Sequence, residues 1–271
     1  LMQSLAKVDK KVQMSNTFSS FGLLIVDEAH HAPCASIRSS MLCFGCKYTL
    51  ALSATPYRQD GLTQYIEWAF GPPALVVPPR FERCKMHKVE FVKKRKISAE
   101  DVMIAGYGGC TLVDTLASCT ERNIFIRQLA IDAAKKHGRG VLVVTSRRVH
   151  AELLYELVKE YMGDKTGLIM GGVELGITTS KSPEECNFPH VIVSTTQLVC
   201  EGFDRGTSLN CLILALPRGH SENSTWLCQT VGRVSRTAAE AEKGNDNNCG
   251  DENKISSYIY DIVDKKVAHC K

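Results

Sequence analysis

The sequence predicts an α/β protein made of two successive units, each on a largely parallel sheet. Three observations carry this. Short continuous apolar runs recur along the 271 residues, at Leu23–Val26, Tyr48–Leu52, Val141–Thr145, Val191–Thr195 and Cys211–Leu216, and each stops at polar, acidic or turn-forming residues. Such runs read as strands buried on both faces, the habit of parallel sheets covered by helices. Stretches of helical period lie between later runs, at Glu121–His137 and from Val149 to Tyr161. The basic run Lys93-Lys94-Arg95-Lys96, coming after Pro72, Pro73, Pro78 and Pro79, marks a linker or surface edge. It puts the boundary between units near residues 80–95, giving units of 1–87 and 88–271.

Each element has its reason. Leu23–Val26 is the first strand, followed by a polar, small-residue stretch through Ser40. Tyr48–Leu52 is the second, ending in Ser53-Ala54-Thr55-Pro56. Pro56 closes it because proline has no N–H for a ladder. Lys88–Val92 alternates polar and apolar residues like a half-exposed strand. In Glu121–His137, Ile124, Phe125, Leu129 and Ala133 form a buried stripe, Lys135 and Lys136 suit the carboxyl end, and Gly138 stops the helix. Val149, Leu153, Leu154, Leu157, Val158 and Tyr161 recur at helical spacing in the next element. Leu227–Thr237 reads as a polar helix, residues 238–254 as a polar loop, and Tyr258–Val263 as the last strand.

Composition excludes some classes. No apolar run approaches the roughly 20 residues needed to span a bilayer, so no membrane role is expected. Lys7, Lys10 and Lys11 interrupt any signal-like apolar region. The 12 cysteines are scattered, often within apolar segments, which favours reduced, buried thiols in an intracellular compartment, nucleus or cytoplasm. Cys43-Phe44-Gly45-Cys46 lacks the second pair that a zinc site needs and reads as two loop thiols. A net charge of +4 permits nucleic-acid binding without arguing for it.

Four segments carry chemistry. Asp27-Glu28-Ala29-His30 puts two carboxylates at the carboxyl end of a strand, where open parallel sheets bind ligands. On its own it is equally a solvated acidic turn. Asp27 suits a hard cation such as Mg²⁺, which takes one or two carboxylates, and Glu28 can polarise a water. His30 is a candidate relay to another segment, with His31 a bystander. Ser53 and Thr55 can hydrogen-bond across strand ends. In Gln229-Thr230-Val231-Gly232-Arg233-Val234-Ser235-Arg236, the arginines are three apart and share a helix face that can meet phosphates. Gln229 lies a turn earlier, and Gly232 is expected to let the helix approach closely. Val191–Thr196 is a strand ending in hydroxyls, followed by Glu201-Gly202-Phe203-Asp204. Thr195 can hold a nucleic-acid phosphate, and Gly202 and Asp204 can meet a nucleotide's sugar side or the arginine helix.

Taken in order, Asp27–His30, Ser53–Thr55, Ser146-Arg147-Arg148, Thr195–Asp204 and Gln229–Arg236 resemble motifs II to VI of superfamily 2 helicases, in the Asp-Glu-Ala-His form. Ser53–Leu62, Met170-Gly171-Gly172 and Tyr260–Asp264 resemble a branch of DNA helicases and translocases found in large eukaryotic DNA viruses and related to the transcription-and-repair helicases. The resemblance implies two RecA-like, P-loop NTPase-like domains, the first incomplete, with ATP and Mg²⁺ as cofactors. It implies single-stranded nucleic acid, DNA more than RNA, tracking past Arg147 and Thr195. Under it, Asp27 holds Mg²⁺, Glu28 activates water with His30 beside it, Gln229, Arg233 and Arg236 reach the phosphates, Gly202 and Asp204 face the nucleotide, and Ser53 and Thr55 couple ATP state to strand movement. If the chain is viral, replication or transcription sites are its setting.

One departure stands against that pattern. No Gly-x-x-x-x-Gly-Lys-[Ser/Thr] occurs in the 271 residues, so the lysine loop that grips the β and γ phosphates is absent from them. The first unit is therefore expected to be poorly stable and the chain a weak ATPase by itself. The alternative is a split or non-catalytic nucleic-acid-binding remnant that needs a partner chain carrying the loop, or that regulates a full-length relative.

Overall fold

The computed structural model describes residues 20–41, 44–54, 58, 60–77, 84–92, 111–176, 190–201, 209–217, 227–234 and 257–265. The chain divides into two compact units, one of residues 1–79 with 221–225, the other of 80–220 with 226–271.

In the first unit, β1 (Leu23–Val26) pairs in parallel with β2 (Tyr48–Ala51), Leu23 opposite Tyr48 and Val26 opposite Ala51. The chain between them makes a 3₁₀ turn, Ala29–His31, and a helix, α1 (Ala35–Met41); α2 (Thr63–Phe70) follows β2. The ladder continues past both strands: Leu52 N–H donates to the Val26 carbonyl and Ala29 N–H to the Leu52 carbonyl, each at 2.9 Å. The segments leaving β1 and β2 are thus fastened to one another.

The expectation that β1 is buried on both faces does not hold. Leu23 and Ile25 are 49% and 54% exposed, whereas Val26 is 7% exposed. Among the described residues β1 has β2 as its sole partner strand, and the alternating side chains of this two-stranded sheet are covered on one face. Tyr48 and Leu50 of β2 are exposed as well. The polar, small-residue stretch through Ser40 contains α1, where buried Ser40 is satisfied by donating to the Ser36 carbonyl at 2.8 Å.

The second unit is a seven-stranded sheet in the order β3-β9-β8-β4-β7-β5-β6. Its strands are β3 (Cys84–Phe91), β4 (Gly140–Thr145), β5 (Thr166–Met170), β6 (Val173–Leu175), β7 (Val191–Thr195), β8 (Leu209–Leu214) and β9 (Ser257–Asp264). Every pair is parallel except β5 with β6. The helices are α3 (Thr111–Ala117), α4 (Thr120–His137), α5 (Arg148–Met162) and α6 (Thr196–Glu201), and residues 227–234 are also helical. β4 sits centrally, and alternation along it feeds two cores. Val141 and Val143 pack with Ile126, Ala130, Leu154 and Val158 of α4 and α5. Leu142 and Val144 pack with Val199 of α6 and with Val231 and Val234. Both faces are covered, which is why these runs are continuously apolar.

Gly138 ends α4 with φ 60°, and the Arg139 N–H closes back on the Ala133 carbonyl at 3.2 Å, as the stop signal requires. β3 begins at Cys84, earlier than the alternation from Lys88 suggests, because its first residues are mostly exposed and their apolar positions, Cys84 and Met86, are out of phase with Val89 and Phe91. β3 crosses position 87 and lies entirely in the second unit. β5 and β6 are additions to the strands read from sequence. They form a hairpin through Gly171-Gly172, with Gly172 at φ +79°. Gly176 closes it at φ +68°, where a Cβ would lie 2.3 Å from the Thr166 carbonyl oxygen. Cys119 and Cys211 are buried as expected of apolar thiols, but Cys34 and Cys228 are exposed. The loop read at 238–254 lies outside the described residues. None of the described helices is long and apolar enough to cross a membrane.

Candidate active site

Asp27 and Glu28 leave the end of β1 as predicted. Asp27 Oδ1 accepts the Glu28 N–H at 2.8 Å. Glu28 has φ 49° and ψ 48°, the left-handed region, and is the one non-glycine among the described residues with positive φ. That conformation costs an L-residue on the order of 1 kcal/mol, and it persists where neighbouring contacts over-determine it. Here the next residue, Ala29, is held to Leu52, and His30 is held twice. Its Nδ1 lies 3.2 Å from Ser53 Oγ and 3.2 Å from Glu28 Oε2. Burial, reinforced by the positive charges of His31 and Arg58, pushes its pKa down to about 4. The ring is therefore neutral at pH 7. An ionised carboxylate only accepts, so Nδ1 carries the hydrogen and is shared between Glu28 and Ser53.

The second hold on His30 is at its backbone. Arg58 Nη1 donates to the His30 carbonyl, while Arg58 Nε donates to Asp60 Oδ1 at 2.9 Å and its other Nη donates to Asp60 Oδ2. The Arg58 hydrogen bond in turn lowers the Asp60 pKa to about 2. The Asp60 carboxylate also accepts the Leu62 N–H at 3.2 Å, and Arg58 N–H donates to Thr63 Oγ1 at 2.7 Å. This fork ties the entry of α2 to the turn bearing Glu28. The sequence displays Arg58 and Asp60 but assigns them no role; an Arg-x-Asp ahead of a helix is the available signal. Thr55 lies outside the described residues.

In the second unit, Thr145 and Thr195 end the neighbouring strands β4 and β7 side by side. Thr195 is buried, and Arg147 stands at the start of α5. Arg147 Nε donates to Asp114 Oδ1 at 2.6 Å, a partner the sequence does not suggest. Behind it runs a closed chain of buried groups. Asn123 Nδ2 donates to the Ala117 carbonyl at 2.7 Å, which turns its Oδ1 toward His150 Nε2 at 2.9 Å. Nε2 must then donate, leaving Nδ1 to accept the Thr145 hydroxyl at 2.8 Å. The Thr145 oxygen accepts the Arg147 N–H at 3.4 Å. Burial, with the Arg122 charge adding to it, drives the His150 pKa down to about 4. Arg122 itself is fully buried, donating to Asp264 at 2.9 and 3.1 Å and to the Ala215 carbonyl.

Along 227–234, Thr230, Val231 and Val234 are buried while Gln229 and Arg233, one turn apart, are half-buried. A Cβ at Gly232 would meet no protein atom within 4 Å. Arg236, Gly202 and Asp204 lie outside the described residues. Among the described residues no cluster of three or more His, Cys, Asp or Glu is arranged around a metal.

The family of type III restriction enzyme res subunits matches residues 1–58, the segment that holds Asp27, Glu28, His30 and Ser53. A putative ATP-dependent RNA helicase L396 of Acanthamoeba polyphaga mimivirus is 27% identical over 248 residues, 87% of this chain and 44% of that protein. Over most of its length the chain is similar to this putative viral helicase. A putative helicase 22 of a Sulfolobus islandicus filamentous virus is 25% identical over 95% of this chain and 45% of its own length. The chain thus spans less than half the length of the curated proteins it matches. Its fold is that of a putative HsdR subunit fragment of a type I restriction enzyme from Vibrio vulnificus, with a TM-score of 0.58 at 16% identity over 92% of this chain and 49% of that one.

Proposed function

We propose that the chain is part of an ATP-dependent helicase or translocase acting on single-stranded nucleic acid, DNA in preference to RNA. The two units correspond to two RecA-like domains. The observation that carries the reading is the Glu28–His30–Ser53 cluster, a strained carboxylate held by a neutral imidazole that also touches the neighbouring strand's end. Glu28 would orient and deprotonate the attacking water, and His30 would transmit the carboxylate's position to Ser53 and Thr55. The donor chemistry fits Mg²⁺: Asp27 is an exposed oxygen ligand at a strand's carboxyl end, and Mg²⁺ needs one or two carboxylates beside phosphate oxygens. Bound there with ATP, Mg²⁺ would neutralise charge on the β and γ phosphates. Gln229, Arg233 and Arg236 would stabilise the charge developing on the γ phosphoryl group, with Gly202 and Asp204 toward the sugar. Arg147 and Thr195 would meet the strand's phosphates. DNA is preferred on the strength of the Ser53–Leu62 segment; the mimivirus relative is described as an RNA helicase.

The test is single-strand-stimulated ATP turnover with the lysine loop supplied on a second polypeptide. Turnover is expected to fall by at least about a hundredfold in Glu28→Gln, the scale of a lost general base; turnover untouched by that change overturns the reading. The 271 residues alone are expected to hydrolyse ATP very slowly. A second reading, a nucleic-acid-binding protein that works only with a partner chain or regulates a longer relative, is favoured by the exposed apolar side chains Leu23, Ile25, Tyr48 and Leu50 on one sheet.

A further inference from the structure

The outer edge of the second unit carries a cluster that none of these roles uses. Lys85 and His87 of β3 stand opposite Tyr258 and Tyr260 of β9, on one face of the sheet. The His87 ring stacks on Tyr258 at 5.3 Å with an interplanar angle of 1°, and on Tyr260 at 5.5 Å. The Arg139 guanidinium lies 3.6 Å from the centre of the Tyr258 ring, and Lys85 Nζ is 6.0 Å from it. Lys85 and His87 are exposed, and the tyrosines are half-buried beneath them. By strand alternation, Glu90 and Asp261 point to the opposite face, so neither carboxylate of these strands' middle lies among the cations.

In sequence, residues 80–96 hold eight Lys and Arg against two Glu, while the whole chain is only +4; of those cations, Lys85 is the one that β3 places in this cluster among the described residues. The cluster also lies at the amino ends of the parallel strands. Arg147 and Thr195 are at the carboxyl ends, roughly 13 Å further along the strand direction by strand rise alone, so this is a separate surface. Charges on an outer strand also deter edge-to-edge pairing, and that plainer role accounts for Lys85 and Lys88. It does not account for an exposed imidazole lying parallel to a tyrosine ring that also has a lysine and an arginine against it. Exposed rings flanked by cations are what sequence-tolerant binding of a single strand uses, a base on the ring and phosphates on the cations.

We infer that this rim is a second contact for single-stranded nucleic acid, with a base stacking on His87 and phosphates meeting Lys85 and Arg139. The inference rests on nucleic acid being the ligand proposed above, but on none of the residues assigned there.

The test is binding of a fluorescein-labelled oligothymidylate 20-mer to the full 271-residue chain, by anisotropy across a salt series. The double variant Lys85→Gln/His87→Ala should bind roughly tenfold more weakly with an unchanged melting temperature, and its salt slope should shrink by about 0.7 for one lost phosphate contact. Lys159→Gln, which removes one exposed lysine elsewhere, should change neither. Unaltered affinity in the double variant overturns the inference. If Arg147→Ala weakens binding in the same series while the double variant does not, the carboxyl-end track stands and the rim falls. Retention of polyglutamate but not of the oligonucleotide by the wild-type rim also overturns it, in favour of an acidic protein partner. Should the double variant not fold, acetylation of Lys85 in the wild-type chain decides: protection by the 20-mer supports the contact, and none refutes it.

Discussion

Acidification should loosen the second unit through a single buried imidazole. His150 is enclosed between Asn123 and Thr145 with both ring nitrogens committed, one as donor and one as acceptor. Protonation would force Nδ1 to donate toward a hydroxyl already donating to it and would put a second positive charge near Arg122. Its pKa falls from the ordinary 6.5 to about 4. In the unfolded chain the ring takes up a proton below about 6.5, so between those two values the unfolded state binds more protons. Stability is therefore intact above pH 6.5, declines as pH falls toward 4, and loses nothing further from this group below that. At about 1.4 kcal/mol per pH unit the full loss approaches about 3 kcal/mol, a large share of the roughly 5–15 kcal/mol that holds a typical domain. Hydrogen exchange of the central β4 amides Val143 and Val144, expressed as protection factors between about pH 7 and pH 4.5, reports this loss. The variant His150→Gln, neutral throughout, should be less stable at neutral pH yet lose less over that range. Equal pH slopes in the two proteins, or a ¹⁵N spectrum showing His150 charged at about pH 5.5, midway through the window, would refute the reasoning.

Buried and strained positions give three further outcomes. Asp264→Asn strands the Arg122 guanidinium in the core and should cost about 3–5 kcal/mol in urea unfolding, whereas Arg122→Met/Asp264→Leu together should cost much less. Gly176→Ala meets the Thr166 carbonyl oxygen at 2.3 Å from a left-handed backbone, so the melting temperature should drop by several degrees, from a loss of about 2 kcal/mol or more. Glu28→Gly relieves the left-handed strain and should stabilise the first unit by up to about 1 kcal/mol while abolishing any ATP turnover; a fall in its melting temperature would show the conformation to be unstrained.

The second unit's sheet is legible in the sequence because its strands are buried on both faces. Val141–Val144 and Val191–Val193 are unbroken apolar runs dominated by β-branched residues, which favour strands. β5 is hidden because its apolar residues Leu168, Ile169 and Met170 include a single β-branched one and follow Gly167, whereas Val191, Ile192 and Val193 are all β-branched. The start of β3 is hidden because the alternation of Cys84 and Met86 falls out of phase with that of Val89 and Phe91. At the site, the meeting of Glu28, His30 and Ser53 is visible as motif order and spacing. The partners that fix those groups are not. Asp114 lies 33 residues from Arg147, and Arg58 reaches a backbone carbonyl, a contact that any residue type at position 30 would offer.

The pairing of β3 with β9 joins the first strand of the second unit to its last, Cys84 opposite Ser257. Among the described residues β9 is the one strand paired with β3, and during synthesis that partner is complete only after more than 170 further residues have left the ribosome. At roughly 5–20 residues per second that is a wait on the order of 10–30 seconds. A long outer strand studded with lysines is suited to that interval, since mutual repulsion keeps nascent copies from zipping together before the rightful mate arrives.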